Sequence, residues 1–202
     1  MISILILAAG QSRRMQGADK LMQDVDGRPL LRRQIDRAQG LGSIYVALPD
    51  ADHPRHAALA GTDATALIIP QAAEGMGGTL RCAVKQLPQG DFMLLLGDLI
   101  ALGADDLAAV VRAQTEFPDN LIWRGATSDG RAGHPILFDR RVRPEFAKLS
   151  GDSGGEPVDD PLRDKTHLVV FDDDRARLDL DTPQDWANWR ADHPSRSNNS
   201  AS

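Results

Sequence analysis

The 202-residue sequence has little cysteine and few aromatic side chains. Its one cysteine, Cys82, excludes an intramolecular disulfide and a cysteine-based metal cluster, and it fits a reducing compartment, so we expect a cytoplasmic protein. No apolar run approaches the ~20 residues of a membrane span, and the apolar start MISILILAAG lacks the positive flank of a signal peptide. We therefore interpret this start as a buried strand and expect no membrane contact.

A surplus of positive charge is also missing, because the formal net charge is −6. Proteins that bind nucleic-acid backbones usually carry a basic face, so nucleic acid is not expected as a partner. A small phosphorylated ligand is compatible with this charge, since it needs only a local group of N–H donors and one or two cations.

Apolar runs without alternation, such as residues 2–8 and 92–96, are typical of strands buried on both faces of a parallel sheet. Segments with helical spacing separate these runs. The alternation predicts an α/β fold, a single domain with a mostly parallel twisted sheet and helices on both faces. We expect this domain to span residues 1–191, followed by a disordered tail at residues 192–202 that is rich in Ser and Asn.

Shorter elements are predicted between these runs. We expect a strand at residues 21–26, a short helix at residues 54–60 and a further helix at residues 142–149. A final helix is expected from Pro183, with Thr182 as its cap. Because ligands of open α/β sheets bind at the carboxyl ends of strands, the site is expected in the loops that follow the buried strands.

The loop after the first strand contains the most informative segment, Leu7-Ala8-Ala9-Gly10-Gln11-Ser12-Arg13-Arg14-Met15-Gln16-Gly17-Ala18-Asp19-Lys20. Its small residues let the backbone approach a ligand, and consecutive N–H groups in such a turn form a concavity that binds anions. Arg14 and Lys20 can supply charge to phosphate oxygens. The spacing fits neither a P-loop nor a dinucleotide fingerprint, and an ordinary loop with scattered charges is the alternative.

This segment resembles the signature L-A-A-G-x-S-x-R-M-G-x-x-K of the MobA-like nucleotidyltransferases, which attach a nucleotide to the molybdenum cofactor. The form with Ala9 as its third residue is similar to the cytidylyltransferase (MocA-like) branch. Gln16 departs from the pattern, because it lengthens the loop by one residue between Met15 and Gly17. The resemblance implies a Rossmann-like, GT-A-like fold.

Gly75-Met76-Gly77-Gly78-Thr79-Leu80 resembles the family's G-M-G-x-S-L stretch, which lies near the nucleotide. Thr79 keeps the hydroxyl of the usual Ser. A helix start with flexible glycines explains the same spacing nearly as well.

Two segments resemble the family's metal-binding positions. Gly97-Asp98 follows a buried strand, although Leu99-Ile100 replaces the usual hydrophobic residue and Pro. Asp179-Leu180-Asp181-Thr182-Pro183-Gln184-Asp185 looks like the family's D-I-D-T-P-E-D. The resemblance implies that Asp98 and Asp181 bind Mg²⁺, a role that suits carboxylates at strand ends. The second segment can also be interpreted as the capped start of a helix, and this interpretation is compatible with metal binding by Asp181.

Two histidine segments receive different interpretations. Gly133-His134-Pro135 matches a G-H-P triplet of the cytidylyltransferase-like branch, where it lies toward the pterin-binding side, so His134 is implied to bind the acceptor. The Asp-His-Pro-Arg-His segment at residues 52–56 has no further ligands nearby, and we interpret it as a solvated loop.

The resemblance covers most of residues 1–191 and implies a Mg²⁺-dependent transfer of CMP from CTP to Mo-molybdopterin with release of pyrophosphate. The implied catalytic residues are Arg14, Lys20 and Asp98. The implied nucleotide-binding residues are Leu7, Ala8, Ala9, Gly10, Arg14, Lys20, Gly75, Gly77 and Thr79. Two alternatives remain: a non-catalytic carrier of a nucleotide or pterin cofactor that serves a molybdoenzyme, and an enzyme whose acceptor is a sugar or alcohol phosphate.

Overall fold

The structure is a computed structural model that describes residues 2–193. Its strands are β1 Ile2–Leu7, β2 Asp24–Val25, β3 Arg28–Pro29, β4 Gly42–Leu48, β5 Thr65–Ile68, β6 Phe92–Leu96, β7 Ile122–Ala126, β8 Ala132–Phe138 and β9 Thr166–Val170. Its α-helices are α1 Leu30–Ala38, α2 Met76–Gln86, α3 Ala104–Glu116, α4 Arg143–Phe146, α5 Glu156–Asp159 and α6 Pro183–Asp192. Short 3₁₀ helices connect several of these elements.

Seven strands form one sheet in the order β5-β4-β1-β6-β8-β7-β9, and β8 alone runs against the other six among the described residues. The apolar run of β1 occupies the centre, where Ile4 pairs with Ile44 on one side and Met93 on the other. The fold class expected from the alternation of strands and helices is therefore confirmed.

Helices cover both faces of the sheet, as predicted. On one face, α1 and α3 bury residues such as Leu31, Ile35 and Val110 against the strands. On the other face, α2, α4 and α5 contribute residues such as Leu80 and Phe146. A strand that is covered on both faces needs apolar side chains at every position, which explains why β1 shows no alternation.

A third, smaller cluster attaches the last helix to the loops at the carboxyl edge of the sheet. Trp186 of α6 is 1% exposed and packs with Met15, Val25, Leu30, Ile100 and Leu180. Thr182 caps α6, since its hydroxyl accepts from the backbone N–H of Asp185 while the Asp185 carboxylate accepts from the backbone N–H of Thr182. The predicted cap is thus observed, and it fixes the approach of the chain to α6.

Several predicted elements differ from those observed. Residues 21–26 contain only a two-residue strand, because Asp26 and Gly27 have positive φ and close a tight hairpin between β2 and β3. Residues 142–149 form a shorter α-helix, α4, followed by tighter turns in which each N–H bonds three residues back. The last helix, α6, ends at Asp192, and the predicted tail at residues 192–202 stays a prediction, since residues 194–202 lie outside the described residues.

None of the helices within residues 2–193 has the length and apolar character that crossing a bilayer requires.

Candidate active site

A cleft of about 450 Å³ opens where β1 and β6 end, at the edge where ligands bind in parallel sheets. This volume lies within the range of small-molecule sites. Residues 8–20, here called the β1 loop, form one wall, and residues 75–79 form another. Most of the residues implied by the family resemblance line the cleft: Leu7, Ala9, Gly10, Arg14, Lys20, Gly75, Thr79, Asp98 and Asp181.

The β1 loop turns through three residues with left-handed backbone, Ser12, Gln16 and Gly17, whose φ angles are 49°, 52° and 93°. The additional residue Gln16 lies in an exposed turn, while Met15 before it is buried in the third apolar cluster. The extra residue therefore bulges outward, and Lys20 still lines the cleft.

Lys20 lies between two carboxylates from distant parts of the chain. Its Nζ atom is 2.5 Å from Asp98 Oδ2 and 2.7 Å from Asp181 Oδ1, and its side chain is only 15% exposed. Burial alone would lower the pKa of Lys20, but the charges and hydrogen bonds of Asp98 and Asp181 together outweigh it and raise the pKa. The ammonium group therefore stays charged and holds the two carboxylates together.

Asp179 completes a cluster of three carboxylates. Oxygens of Asp98, Asp179 and Asp181 lie within 4.8 Å of one another. Partial burial and the negative charges of Asp181 and Asp98 raise the pKa of Asp179. Oδ1 of Asp98 is buried without a hydrogen-bond partner, so the cluster has an acceptor to offer a ligand. Grouped carboxylate oxygens suit hard divalent cations, so these residues fit a metal such as Mg²⁺ or Mn²⁺.

The segment after Asp98 is anchored although it lacks the proline of the family pattern. Leu99 and Ile100 are each 2% exposed, and both pack into the core. The Leu99 carbonyl accepts from Gln34 Nε2 at 2.5 Å, and the Ile100 carbonyl accepts from Arg37 at 3.0 Å. Leu99 also forms a bridge with Asp179, which brings the second acidic segment beside Asp98. Apolar packing and side-chain hydrogen bonds thus position this loop.

Arg14 reaches the same cluster from the exposed end of the β1 loop. Its guanidinium forms an ion pair with Asp181, and 73% of its side chain is exposed. Surface ion pairs of this kind contribute little stability, so Arg14 can leave Asp181 for an incoming anion at small cost.

The wall opposite the β1 loop is built by close backbone packing. Gly75 has a φ of 107°, and the N–H of Gly77 donates to the Gly151 carbonyl at 2.9 Å. A Cβ atom on Gly77 would lie 2.7 Å from the Ser150 carbonyl oxygen, which real Cβ atoms essentially never approach. The Thr79 hydroxyl donates to the Gly75 carbonyl at 3.0 Å. These glycines are therefore required for packing, whatever they contribute to a ligand.

His134 lies on β8, beside the carboxyl end of β6. It is close enough to Asp98 to interact with that charge, and its ring contacts the backbone of Leu94. Burial, with a smaller contribution from the Arg124 charge, lowers the pKa of His134 to about 4. The imidazole is therefore neutral at pH 7, and its buried Nδ1 atom has no hydrogen-bond partner.

This arrangement of loop, strand ends and carboxylates agrees with the comparison to protein families. The sequence matches the MobA-like NTP transferase domain over residues 4–167. The chain belongs to the MobA-like NTP transferase family.

Solved structures and curated relatives extend this assignment. Rv0371c from Mycobacterium tuberculosis H37Rv is 26% identical, with a TM-score of 0.77 over 93% of this chain and 96% of that one. A second Rv0371c structure, with a TM-score of 0.72, is a complex with manganese. A CMP:2-keto-3-deoxy-manno-octonic acid synthetase complexed with CTP shares the fold, with a TM-score of 0.71 at 16% identity over 95% of this chain and 98% of that one.

The bifunctional protein GlmU of Halorhodospira halophila is 34% identical over 101 residues, or 48% of this chain and 21% of GlmU. The match thus spans about a fifth of that relative's length. Family and fold together support a nucleotidyl-transfer activity for this domain.

Three of the family positions predicted from the sequence do not line the cleft: Ala8, Gly77 and His134. Ala8 is 1% exposed, and its backbone connects β1 to the loop. Gly77 packs on the segment at residues 150–152. His134 lies within β8 and not in the lining of the cleft.

The sequence pattern at residues 52–56 predicts a solvated loop and does not indicate that Arg55 belongs to the site. The side chain of Arg55 is only 2% exposed, and it lines the cleft behind the β1 loop. His53 Nδ1 accepts from the Arg55 N–H at 3.3 Å, whereas His56 is half-buried. Arg55 meets the β1 loop because β1 and β4 are adjacent parallel strands, so the loops that follow them lie at one edge of the sheet.

Proposed function

We propose that this domain, residues 1–191, transfers a nucleoside monophosphate from a nucleoside triphosphate to a phosphorylated acceptor and releases pyrophosphate. The donor is CTP and the acceptor is Mo-molybdopterin, as the Ala9 form of the loop and the Gly133-His134-Pro135 triplet suggest by their resemblance to the cytidylyltransferase branch. The protein acts in the cytoplasm in this proposal, and a molybdoenzyme is a further partner.

One observation carries the proposal: Lys20 of the β1 loop lies in contact with Asp98 and Asp181 at the carboxyl ends of the parallel strands. A cation for phosphates and carboxylates for a metal are thereby within one cleft. Gly10, at the start of this loop, has no other atom within 4 Å of where a Cβ would stand, so a ligand can approach its backbone closely.

Asp98 and Asp181 would hold Mg²⁺, and Asp179 adds a third carboxylate oxygen within reach. When bound, such an ion neutralises charge on the phosphate oxygens of the triphosphate. Arg14 and Lys20, which both pair with Asp181, would exchange this carboxylate for phosphate oxygens of the triphosphate.

The reaction itself needs no protein nucleophile. A terminal phosphate oxygen of the acceptor forms a bond to the α-phosphorus while the bond from that phosphorus to the bridging oxygen breaks. The electron pair leaves with pyrophosphate. Catalysis therefore consists of alignment and charge stabilisation by the β1 loop, Arg14 and Lys20.

His134 is proposed to orient the acceptor, as the Gly133-His134-Pro135 resemblance implies. Its ring is neutral, so it adds no charge beside Asp98. We expect His134→Ala to raise KM for the acceptor and to leave KM for CTP unchanged. An equal rise in both constants would contradict this role.

The test measures pyrophosphate release from the purified protein with Mg²⁺ and Mo-molybdopterin, comparing CTP, GTP and ATP. Release with CTP alone supports the complete proposal. Release only when a sugar or alcohol phosphate replaces Mo-molybdopterin changes the acceptor and keeps the reaction. Tight cofactor binding without any release supports the non-catalytic carrier.

Asp98→Ala tests the carboxylate cluster within the same assay. We expect it to abolish turnover, because it removes the buried oxygen that has no protein partner. Asp119→Ala is the matched control, since Asp119 is an exposed carboxylate outside the cleft and its loss should leave turnover unchanged. Persistent turnover in Asp98→Ala would overturn the metal assignment.

A further inference from the structure

Arg55 makes an unusually complete set of contacts with the β1 loop. Its guanidinium donates to the carbonyls of Ala8 and Gly10 at 2.5 and 2.7 Å, and to the Ser12 hydroxyl at 3.1 Å. It also donates to both carboxylate oxygens of Asp19, each at 2.8 Å. Every side-chain nitrogen of Arg55 thus bonds to the loop, and its charge is balanced by Asp19.

These contacts remove two obstacles to anion binding. A carbonyl oxygen that faces a phosphate repels it, and two carbonyls of the loop, those of Ala8 and Gly10, are engaged by a cation instead. A flexible loop would also lose entropy when it closes on a ligand, whereas a loop held in place by charge-assisted bonds has already lost it.

The same contacts extend to Lys20. The Ser12 hydroxyl, which accepts from Arg55, also accepts from the backbone N–H of Lys20 at 3.3 Å. Asp19 precedes Lys20 and accepts from the N–H of Leu21 at 3.0 Å, so it fixes the turn that carries the lysine. A continuous set of bonds therefore runs from Arg55 through the loop to the ammonium group beside Asp98.

We infer that Arg55, paired with Asp19, is a positioning residue for the triphosphate: it holds the β1 loop in the shape that binds phosphate and directs Lys20 into the cleft. This inference rests on the proposed function, since it assumes that the loop binds a triphosphate. Arg55 itself is too buried to offer a free donor, so it acts through the loop.

Arg143 provides a matched control for a purely structural arginine. It donates to the carbonyls of Val84, Leu87 and Gly90 at 2.7, 3.1 and 3.3 Å, and it does not line the cleft. Both arginines hold backbone carbonyls, but only Arg55 holds those of the β1 loop. Arg→Lys at each position keeps the charge and removes the branched set of donors.

The experiment titrates the wild type, Arg55→Lys, Asp19→Asn and Arg143→Lys with inorganic tripolyphosphate and Mg²⁺ by calorimetry, and follows thermal unfolding in parallel. We expect the affinity of Arg55→Lys to fall about tenfold or more, because partners that orient binding groups typically contribute about 10- to 100-fold. Arg143→Lys should lose stability and keep its affinity within about twofold, as expected of a site with no shared partners.

Asp19→Asn keeps the inference testable if Arg55→Lys fails to fold, since it leaves the buried arginine in place and removes the charge of its paired carboxylate. It should reduce affinity in the same direction. Wild-type affinity in Arg55→Lys or, where that variant is unfolded, in Asp19→Asn would overturn the inference and leave the proposed function intact. No tripolyphosphate binding by the wild type would overturn both.

Hydrogen exchange of the amides at residues 8–20 tests directly whether Arg55 holds the β1 loop, because it measures local opening of the loop without any added ligand. Faster exchange there in Arg55→Lys, with no change in Arg143→Lys, is the expected result. Equal exchange in both variants would show that Arg55 does not hold the loop.

Discussion

The two walls of the cleft are built in opposite ways. The charged wall consists of the β1 loop with Asp98 and Asp181, and ion pairs between side chains hold it together. The glycine wall consists of residues 75–79 with residues 150–152, and backbone atoms in direct contact hold it together. Both walls contain glycines, yet Gly10 faces open space while Gly77 has no room for a single carbon atom.

This difference separates two reasons for a glycine beside a ligand. In the charged wall the missing side chain leaves room for an incoming molecule. In the glycine wall the missing side chain is already used by the protein, because the chain at Ser150 occupies that space. Substitutions in the first wall should therefore affect binding, and substitutions in the second should affect folding.

The largest effect is expected from Lys20→Ala in the charged wall. We expect kcat/KM for CTP to fall on the order of 10²–10³-fold, as when one preorganised donor of a charged transition state is lost. In the same variant Asp98 and Asp181 lose their ammonium partner, so Mn²⁺ should bind more tightly to the nucleotide-free protein.

Pyrophosphate release and the electron paramagnetic resonance of free Mn²⁺ measure these two effects. Lys85→Ala, which removes an exposed lysine of α2, is the control and should change neither. Unchanged turnover in Lys20→Ala would show that Lys20 does not contribute to catalysis.

Gly77→Ala should have the next largest effect and should act on stability. The added carbon would meet three backbone atoms of Ser150 at 2.7–2.9 Å, which a side-chain rotation cannot relieve. Overpacking of this kind costs about 1–3 kcal/mol in the free energy of unfolding, measured by urea denaturation. A variant as stable as the wild type with weaker CTP binding would reverse the assignment of this wall.

Gly10→Ala is the matched substitution in the other wall. Its φ angle is not in the left-handed region and nothing lies within 4 Å, so the free energy of unfolding should stay within about 0.5 kcal/mol. The methyl group would occupy space that the phosphates approach, and we expect about tenfold weaker CTP binding, equal to about 1.4 kcal/mol. If Gly10→Ala instead lowers the free energy of unfolding and leaves CTP binding unchanged, the proposed difference between the two walls is wrong.

Thr79→Val should have the smallest effect. The hydroxyl proton is committed to the Gly75 carbonyl, so its loss should lower the free energy of unfolding by about 0.5–1.5 kcal/mol. KM for CTP should change by no more than about twofold, because the hydroxyl proton already bonds to the protein. A twofold change in KM corresponds to well under 1 kcal/mol. A much larger rise in KM would show that the hydroxyl itself contacts the nucleotide.

Much of the fold is predictable from the sequence because β1 and β6 are continuous apolar runs. Such runs are typical of strands that are buried on both faces of the sheet. The sequence pattern at residues 21–26 predicts a longer strand than the one observed, because it does not show that Asp26 and Gly27 adopt left-handed backbone and reverse the chain. The buried side chains at residues 142–149 have helical spacing, which predicts a helix over the whole segment. Its second half instead consists of tighter turns, which bury side chains at similar spacing.

The charges of the cleft were partly predictable. Lys20, Asp98 and Asp181 follow from the resemblance, and the structure brings them into contact. Arg55 was not predictable from its own segment, because its partners lie 36–47 positions earlier and meet it only when β1 and β4 pair. Asp179 lies in the cluster because its backbone forms a bridge with Leu99. This tertiary contact cannot be predicted from the residues around Asp179 alone.

Asp181 lies 161 positions after Lys20, at the entrance to the last described helix. During synthesis the β1 loop therefore emerges long before the carboxylate that completes its charge balance. A nascent chain can form the central strands early, yet Lys20 has Asp98 alone of its two carboxylate partners until α6 docks through Trp186. The carboxylates of the cleft are thus complete only after the segment that carries Asp181 has been synthesised and has folded.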